Sequence, residues 1–142
     1  METSASAGAY HETEVRVRYA ETDQMGFAYY AHALIWFEVG RTSCLRDRGY
    51  PYTRFEEEGY RLPVIEAHVK YRAPARYDDV LIVQTRIVEV RVSRIRFDNR
   101  VLRAQDRKLL MEGEVVLACV NGAGRPVRIP EDLRELLGAT GE

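Results

Sequence analysis

The stretch YAETDQMGFAYYAHALIWFE, from Tyr19 to Glu38, passes from a polar cluster around one Asp into a run of apolar and aromatic residues with no period of two. Such a run reads as helix, and the pattern persists to Arg48, where Gly49 and then Pro51 supply stop signals. The spacing predicts one long helix from about Ala28 to Arg48. Its first half, AYYAHALIWF, is apolar on nearly every side, whereas the second half, RTSCLRDR, is polar on most. A helix with an apolar half of that kind is expected to be enclosed by other elements.

Strands on either side supply the enclosure. In ETEVRVRY, from Glu12 to Tyr19, Val15, Val17 and Tyr19 alternate with Arg16 and Arg18, the pattern of a strand with one buried face, ending near Ala20. After the helix, VIEAHVKYRA alternates Ile65, Ala67, Val69, Tyr71 and Ala73 with Glu66, His68, Lys70 and Arg72, and Pro74 breaks it. DVLIVQTRIVEVR and RIRFDNRVL follow with only a short turn near Val92 and Ser93, which implies an antiparallel hairpin. LLMEGEVVLACV makes the fifth strand, where Gly113 signals a bulge or a close backbone approach. A short helix is expected from Glu131 to Leu137. The order of one strand, a long helix and then four strands in an antiparallel meander gives an α+β class, with a five-stranded sheet wrapped around one central helix. The domain is expected over 12–137, with 1–11 a flexible terminus and 138–142 a tail. Free sheet edges and a single-layer core favour a homodimer or homotetramer.

Composition narrows the function. A chain of 142 residues suits one domain, and 46% hydrophobic with 30% charged residues is ordinary for a globular protein. A net charge of -1 gives no pull toward nucleic acid or an anionic membrane, so neither is an expected partner. No window approaches the roughly 20 apolar residues of a membrane span. METSASAGAYHETE lacks the basic start and apolar run of a signal peptide, and a cytoplasmic location is expected. Cys44 and Cys119 show no metal or redox spacing and read as packed, reduced thiols. His11, His32 and His68 show no ligand spacing either, and no metal is expected.

Asp23 admits two roles on local chemistry alone. It can cap a loop or helix start, or it can serve as a carboxylate beside the first backbone N–H groups of the helix, which lack intrahelical partners and lie at the positive end of the helix dipole. Gly26 allows the connecting loop to turn tightly.

The segment RYAETDQMGFAYYAHALIWFEVGRT resembles the entrance motif of the 4-hydroxybenzoyl-CoA thioesterase-like acyl-CoA thioesterases, which have the hotdog fold. The shared pattern is an aromatic residue, a short acidic or polar run, an Asp with a Gly three residues on, then an aromatic helix ending in Phe-Glu with a nearby Arg. YRAPARYDDVL and RPVRIPEDL are further matches, and the resemblance runs from Glu12 to about Leu137. It implies hydrolysis of an acyl-CoA, or of an acyl chain on a carrier protein, to free acid and thiol, with coenzyme A as part of the substrate and no cofactor. Asp23 would attack the carbonyl as nucleophile or activate water as general base, and the backbone N–H of Tyr30 would receive the developing oxyanion.

Three positions depart from a common form of the pattern: many members carry His at the position of Tyr30, Asn at that of His32 and an aromatic residue at that of Ala33. The backbone role at Tyr30 survives the change. His32 either hydrogen-bonds the acyl oxygen or positions water, or is a buried polar residue with a structural partner. Glu38 near Arg41 reads as a structural ion pair, and Tyr29, Trp36 and Phe37 read as core. For the phosphates of coenzyme A, Arg94, Arg96 and Arg100 share one face of the fourth strand, with Lys70, Arg72 and Arg76 as rivals; a solvated sheet face is the alternative. Tyr50, Tyr52, Phe55 and Tyr60 either line an acyl pocket or cover the edge of the core. A non-catalytic acyl-CoA-binding or regulatory domain is the second reading. A hotdog dehydratase is the third, and His32 lacks the Pro-Gly context and acidic partner it would need.

Overall fold

The computed structural model describes residues 9–138. In chain order the elements are β1 (His11–Arg16), a 3-10 turn (Tyr19–Glu21), α1 (His32–Asp47), α2 (Tyr52–Glu57), β2 (Val64–Tyr71), β3 (Val80–Val90), β4 (Arg94–Arg103), β5 (Leu109–Ala118) and α3 (Glu131–Leu136). The expectations for 1–8 and 139–142 lie outside the described residues. The strands form one antiparallel sheet in the order β1-β3-β4-β5-β2. With α1 across its inner face, this is the hotdog arrangement of a sheet around a helix.

Several expectations need correction, beginning with the strand order. The meander holds for β3, β4 and β5, but β2 pairs with β5 at the sheet edge and not with β3. Eight residues separate β2 from β3, which reach about 26 Å extended, ample for the three strand spacings of roughly 14 Å that separate them. This connection crosses the end of the sheet: Asp78 N–H donates to Val17 O at 2.9 Å, and Ala75 O accepts from Ala28 N–H at 2.8 Å. That second bond, with Tyr29 N–H donating to Glu21 O at 2.7 Å, holds residues 28 and 29 out of helical conformation. For this reason α1 starts at His32 and not near Ala28.

The inner faces of β3, β4 and β5 meet α1 in a core that includes Phe37, Leu81, Val83, Phe97, Val101 and Val115, all buried. Burying a side chain such as Phe37 stabilises the fold by about 1.5–3 kcal/mol. Two glycines allow close packing here. A Cβ at Gly40 would lie 2.3 Å from Thr85 Oγ1 and 2.7 Å from Val83 Cγ1, so the helix backbone rests directly on β3. At Gly113 a Cβ would lie 2.0 Å from the His68 carbonyl, while the β2–β5 register runs regularly through Val69 and Gly113. Gly113 is therefore a close backbone approach and not a bulge.

The described residues do not enclose the apolar half of α1: Leu34 and Ile35 are 44% and 47% exposed. Trp36 and Phe37 are core as expected, whereas Tyr29 is largely exposed. The edge strand β2 is exposed along nearly its whole length, because no described element covers its outer side. α2, which periodicity did not reveal, packs Phe55 among Tyr50, Tyr52 and Tyr60, so these aromatics close one end of the core. Cys44 and Cys119 are free and buried, and burial pushes both thiols up. Glu38 and Arg41 form no ion pair at contact distance among the described residues; burial lowers Arg41, and the charge of Glu38 opposes that shift. No helix of the described residues is long and apolar enough to cross a membrane, and these residues contain no cluster of His, Cys, Asp and Glu fit for a metal ion.

Candidate active site at the start of α1

Asp23 caps its own loop, not the helix. Its Oδ1 accepts from Met25 N–H at 2.9 Å and, more weakly, from Phe27 N–H at 3.4 Å. Asp23 N–H donates to Phe27 O at 2.9 Å and Gly26 N–H to Asp23 O at 3.0 Å, closing a tight turn. Gly26 sits at φ +84, a left-handed conformation that side chains resist, which gives the expected role of this glycine a direct cause. The second carboxylate oxygen of Asp23, Oδ2, has no partner among the described residues.

The chain then makes a tight turn into α1. His32 N–H donates to Tyr29 O at 2.9 Å, Ala33 N–H to Tyr30 O at 3.2 Å and Leu34 N–H to Ala31 O at 3.2 Å. No side chain caps this helix start. The N–H groups of Tyr30 and Ala31 find no acceptor among the described residues. The sequence motif points to the N–H of Tyr30; that of Ala31 joins it because α1 starts at His32 and not near Ala28. Unpaired amides at the positive end of a helix attract developing negative charge.

Asp23 and Tyr30 line one cavity of about 380 Å³. Phe27, Tyr29 and Tyr71 form further aromatic walls, and Ala33, Trp36 and Met111 also border it. The Tyr29 phenol is raised, first by its hydrogen bond with Tyr30 and then by repulsion from that group. Tyr71, from the edge strand, donates its hydroxyl to the Tyr30 carbonyl at 2.7 Å.

The remaining site residues are scattered. His32 lies in the first turn of α1 beside Trp36, ring centroids 6.1 Å apart, with Nδ1 buried and unpartnered, and it is not among the cavity's lining residues. Arg72 borders the cavity and is ion-paired with Glu112 at 2.7 Å. Lys70 is exposed on β2, opposite Glu112 in the register. Arg94 and Arg96 lie toward the other end of the sheet: Arg94 faces Ala118 and Tyr71 faces Met111, seven residues along β5 (118 − 111). That is about 23 Å of strand. They border a separate polar depression, where Arg96 is paired with Glu89 at 2.7 Å and Glu114 at 3.5 Å. Within one chain, the structure joins Asp23, Tyr30 and Arg72 and leaves Arg94 and Arg96 apart.

A family model described as the thioesterase-like superfamily matches residues 17–137. The putative acyl-CoA thioesterase YneP of Bacillus subtilis is 45% identical over 72 residues, which is 51% of this chain and 52% of that protein, so this match spans about half the length of the relative. The acyl-CoA thioester hydrolase YbgC of Escherichia coli O6:H1 is 36% identical over 107 residues, covering 75% of this chain and 79% of YbgC. Among solved structures, the DHNA-CoA thioesterase of Staphylococcus aureus superposes with a TM-score of 0.87 at 28% identity, covering 91% of this chain and 89% of that one. With the sheet, the helix and the family match in agreement, the chain belongs to the thioesterase-like superfamily and has its hotdog fold.

Proposed function

We propose that the protein hydrolyses acyl-CoA thioesters to free acid and coenzyme A. One observation carries this reading: Asp23, whose Oδ2 has no partner among the described residues, lines one aromatic-walled cavity with Tyr30, whose N–H, like that of the adjoining Ala31, finds no acceptor among those residues. A thioester carbonyl seated there directs its oxygen toward the amides. Asp23 acts on the carbonyl carbon in one of two ways. It attacks directly, expelling the thiolate and forming an acyl-aspartyl anhydride that water then opens, or it takes a proton from a water that attacks in its place. In both, the amides stabilise the charge that develops on the carbonyl oxygen. A carrier-protein thioester would meet the same groups. Arg72 and Lys70, on the strand end beside the cavity, are the proposed contacts for the phosphates of coenzyme A, and a second copy covering the exposed β2 edge and Leu34 and Ile35 is the proposed dimer partner.

Thiol release from a panel of short, long and aromatic acyl-CoAs tests the reading. Turnover on at least one member, lost in Asp23→Asn, is the expected result. Undiminished turnover by Asp23→Asn rejects the mechanism, and saturable binding without thiol release on any member assigns the chain to a binding role instead.

A further inference from the structure

The hydroxyl of Tyr71 reaches from the edge strand to the Tyr30 carbonyl at 2.7 Å, and the same carbonyl accepts from Ala33 N–H at 3.2 Å. That carbonyl shares a peptide unit with the N–H of Ala31, which no described residue engages. A hydrogen bond accepted on one side of a peptide unit polarises the N–H on the other, and bonds in such chains strengthen one another by roughly 10–30%. The contact also fixes the plane of this peptide, in a helix start that has no side-chain cap. The rings of Tyr30 and Tyr71 pack edge to face, with centroids 6.3 Å apart and planes at 83°, a contact that favours this placement of the hydroxyl. Partial burial raises the Tyr71 phenol above its usual value, and the nearby Tyr30 adds to the shift, so the hydroxyl keeps the proton it donates.

We propose that Tyr71 is a positioning residue for thioester hydrolysis: through the Tyr30 carbonyl it orients and polarises the Tyr30–Ala31 peptide, so that the Ala31 N–H joins that of Tyr30 in facing the oxyanion. The role rests on the reading of the cavity given above. The Tyr71 hydroxyl touches no reacting atom; it is committed to the carbonyl, and its effect passes through the peptide bond. Because the carbonyl oxygen is most negative in the transition state, this alignment lowers the barrier more than it tightens substrate binding.

Tyr71→Phe tests the role, since it keeps the ring in the cavity wall and removes only the hydroxyl. The expected result is a fall in kcat of about tenfold, part of the roughly 10²–10³ that removing an oxyanion donor outright costs, with KM within about twofold of the parent. The Ala31 amide nitrogen resonance should move in the same variant, reporting the altered peptide. An unchanged kcat, or a loss carried wholly by KM, overturns the proposal. Asp23→Asn measured alongside separates the two readings. If Asp23→Asn retains full turnover, the cavity reading fails and the Tyr71 role fails with it. If Asp23→Asn is inactive while Tyr71→Phe runs at the parental rate, only the Tyr71 role is lost.

Discussion

Residues Asp23 to Phe27 and Asn121 to Arg125 fold into the same five-residue loop, once with Asp at the head and once with Asn. In the second loop Asn121 Oδ1 accepts from Ala123 N–H at 2.9 Å and Arg125 N–H at 3.1 Å, as Asp23 Oδ1 accepts from Met25 and Phe27. Asn121 N–H donates to Arg125 O at 3.0 Å and Gly124 N–H to Asn121 O at 2.9 Å, matching the backbone bonds of the first loop. The fourth position is glycine in both, at φ +84 for Gly26 and +80 for Gly124. The turn therefore asks for one acceptor oxygen, and an amide supplies it as well as a carboxylate does. The negative charge at Asp23 is surplus to the turn, and Asp23 lines a cavity with Tyr30, whose N–H finds no acceptor among the described residues.

The comparison makes predictions that separate charge from capping. The largest effect belongs to Asp23→Asn, which turns the first loop into a copy of the second: turnover on acyl-CoA falls by at least about 10²-fold while the thermal midpoint holds. Thiol release and a melting curve check this, and a joint loss of both would show that the loops are not equivalent. Next come Gly26→Ala and Gly124→Ala. A Cβ meets nothing within 4 Å at either position, so the cost is backbone strain alone, about 1–2 kcal/mol in each loop by denaturant titration. Only Gly26→Ala should also slow turnover, because its loop carries Asp23. Removing the cap by Asp23→Ala or Asn121→Ala should cost about 1 kcal/mol each, similar in the two loops, and a marked inequality would break the parallel.

The smallest effect concerns pH and the second loop only. Cys119, two residues before Asn121, has its thiol pushed up to about 11 from 9.0 by burial. A raised value in the folded state means that the folded thiol prefers its proton. Its contribution to stability is fully present below about pH 9 and is lost as pH rises toward 11. The denaturant midpoint should fall across that window, and Cys119→Ala should flatten the fall.

Much of this architecture was legible in the sequence where local pattern decides it. Ile95, Phe97 and Val101 alternate with Arg94, Arg96 and Arg100, and β4 appears almost where that alternation places it, with β3 across the short turn before it. The neighbour of β2 was not legible, because Ile65, Ala67 and Val69 alternate in the same way whichever strand lies alongside. The start of α1 was misplaced for a related reason: Ala28 and Tyr29 are held by the carbonyls of Ala75 and Glu21, and nothing in the apolar run reports those bonds. Asp23 and Tyr30 are singled out as candidates by their motif. Ala31 and Tyr71 are not, since the feature at one is a backbone N–H that any non-proline residue carries and the role proposed for the other rests on a contact 41 residues away in sequence.

Gly40 has a bearing on how closely α1 approaches the sheet. It lies about two helical turns beyond Ala33, and there the main chain of α1 rests on Thr85 and Val83 with no room for a methyl group. Helix and sheet touch along that line through the side chains of Thr85 and Val83. A methyl group added at Gly40 would have to push the two layers apart, so the spacing between helix and sheet is gauged by the smallest residue between them.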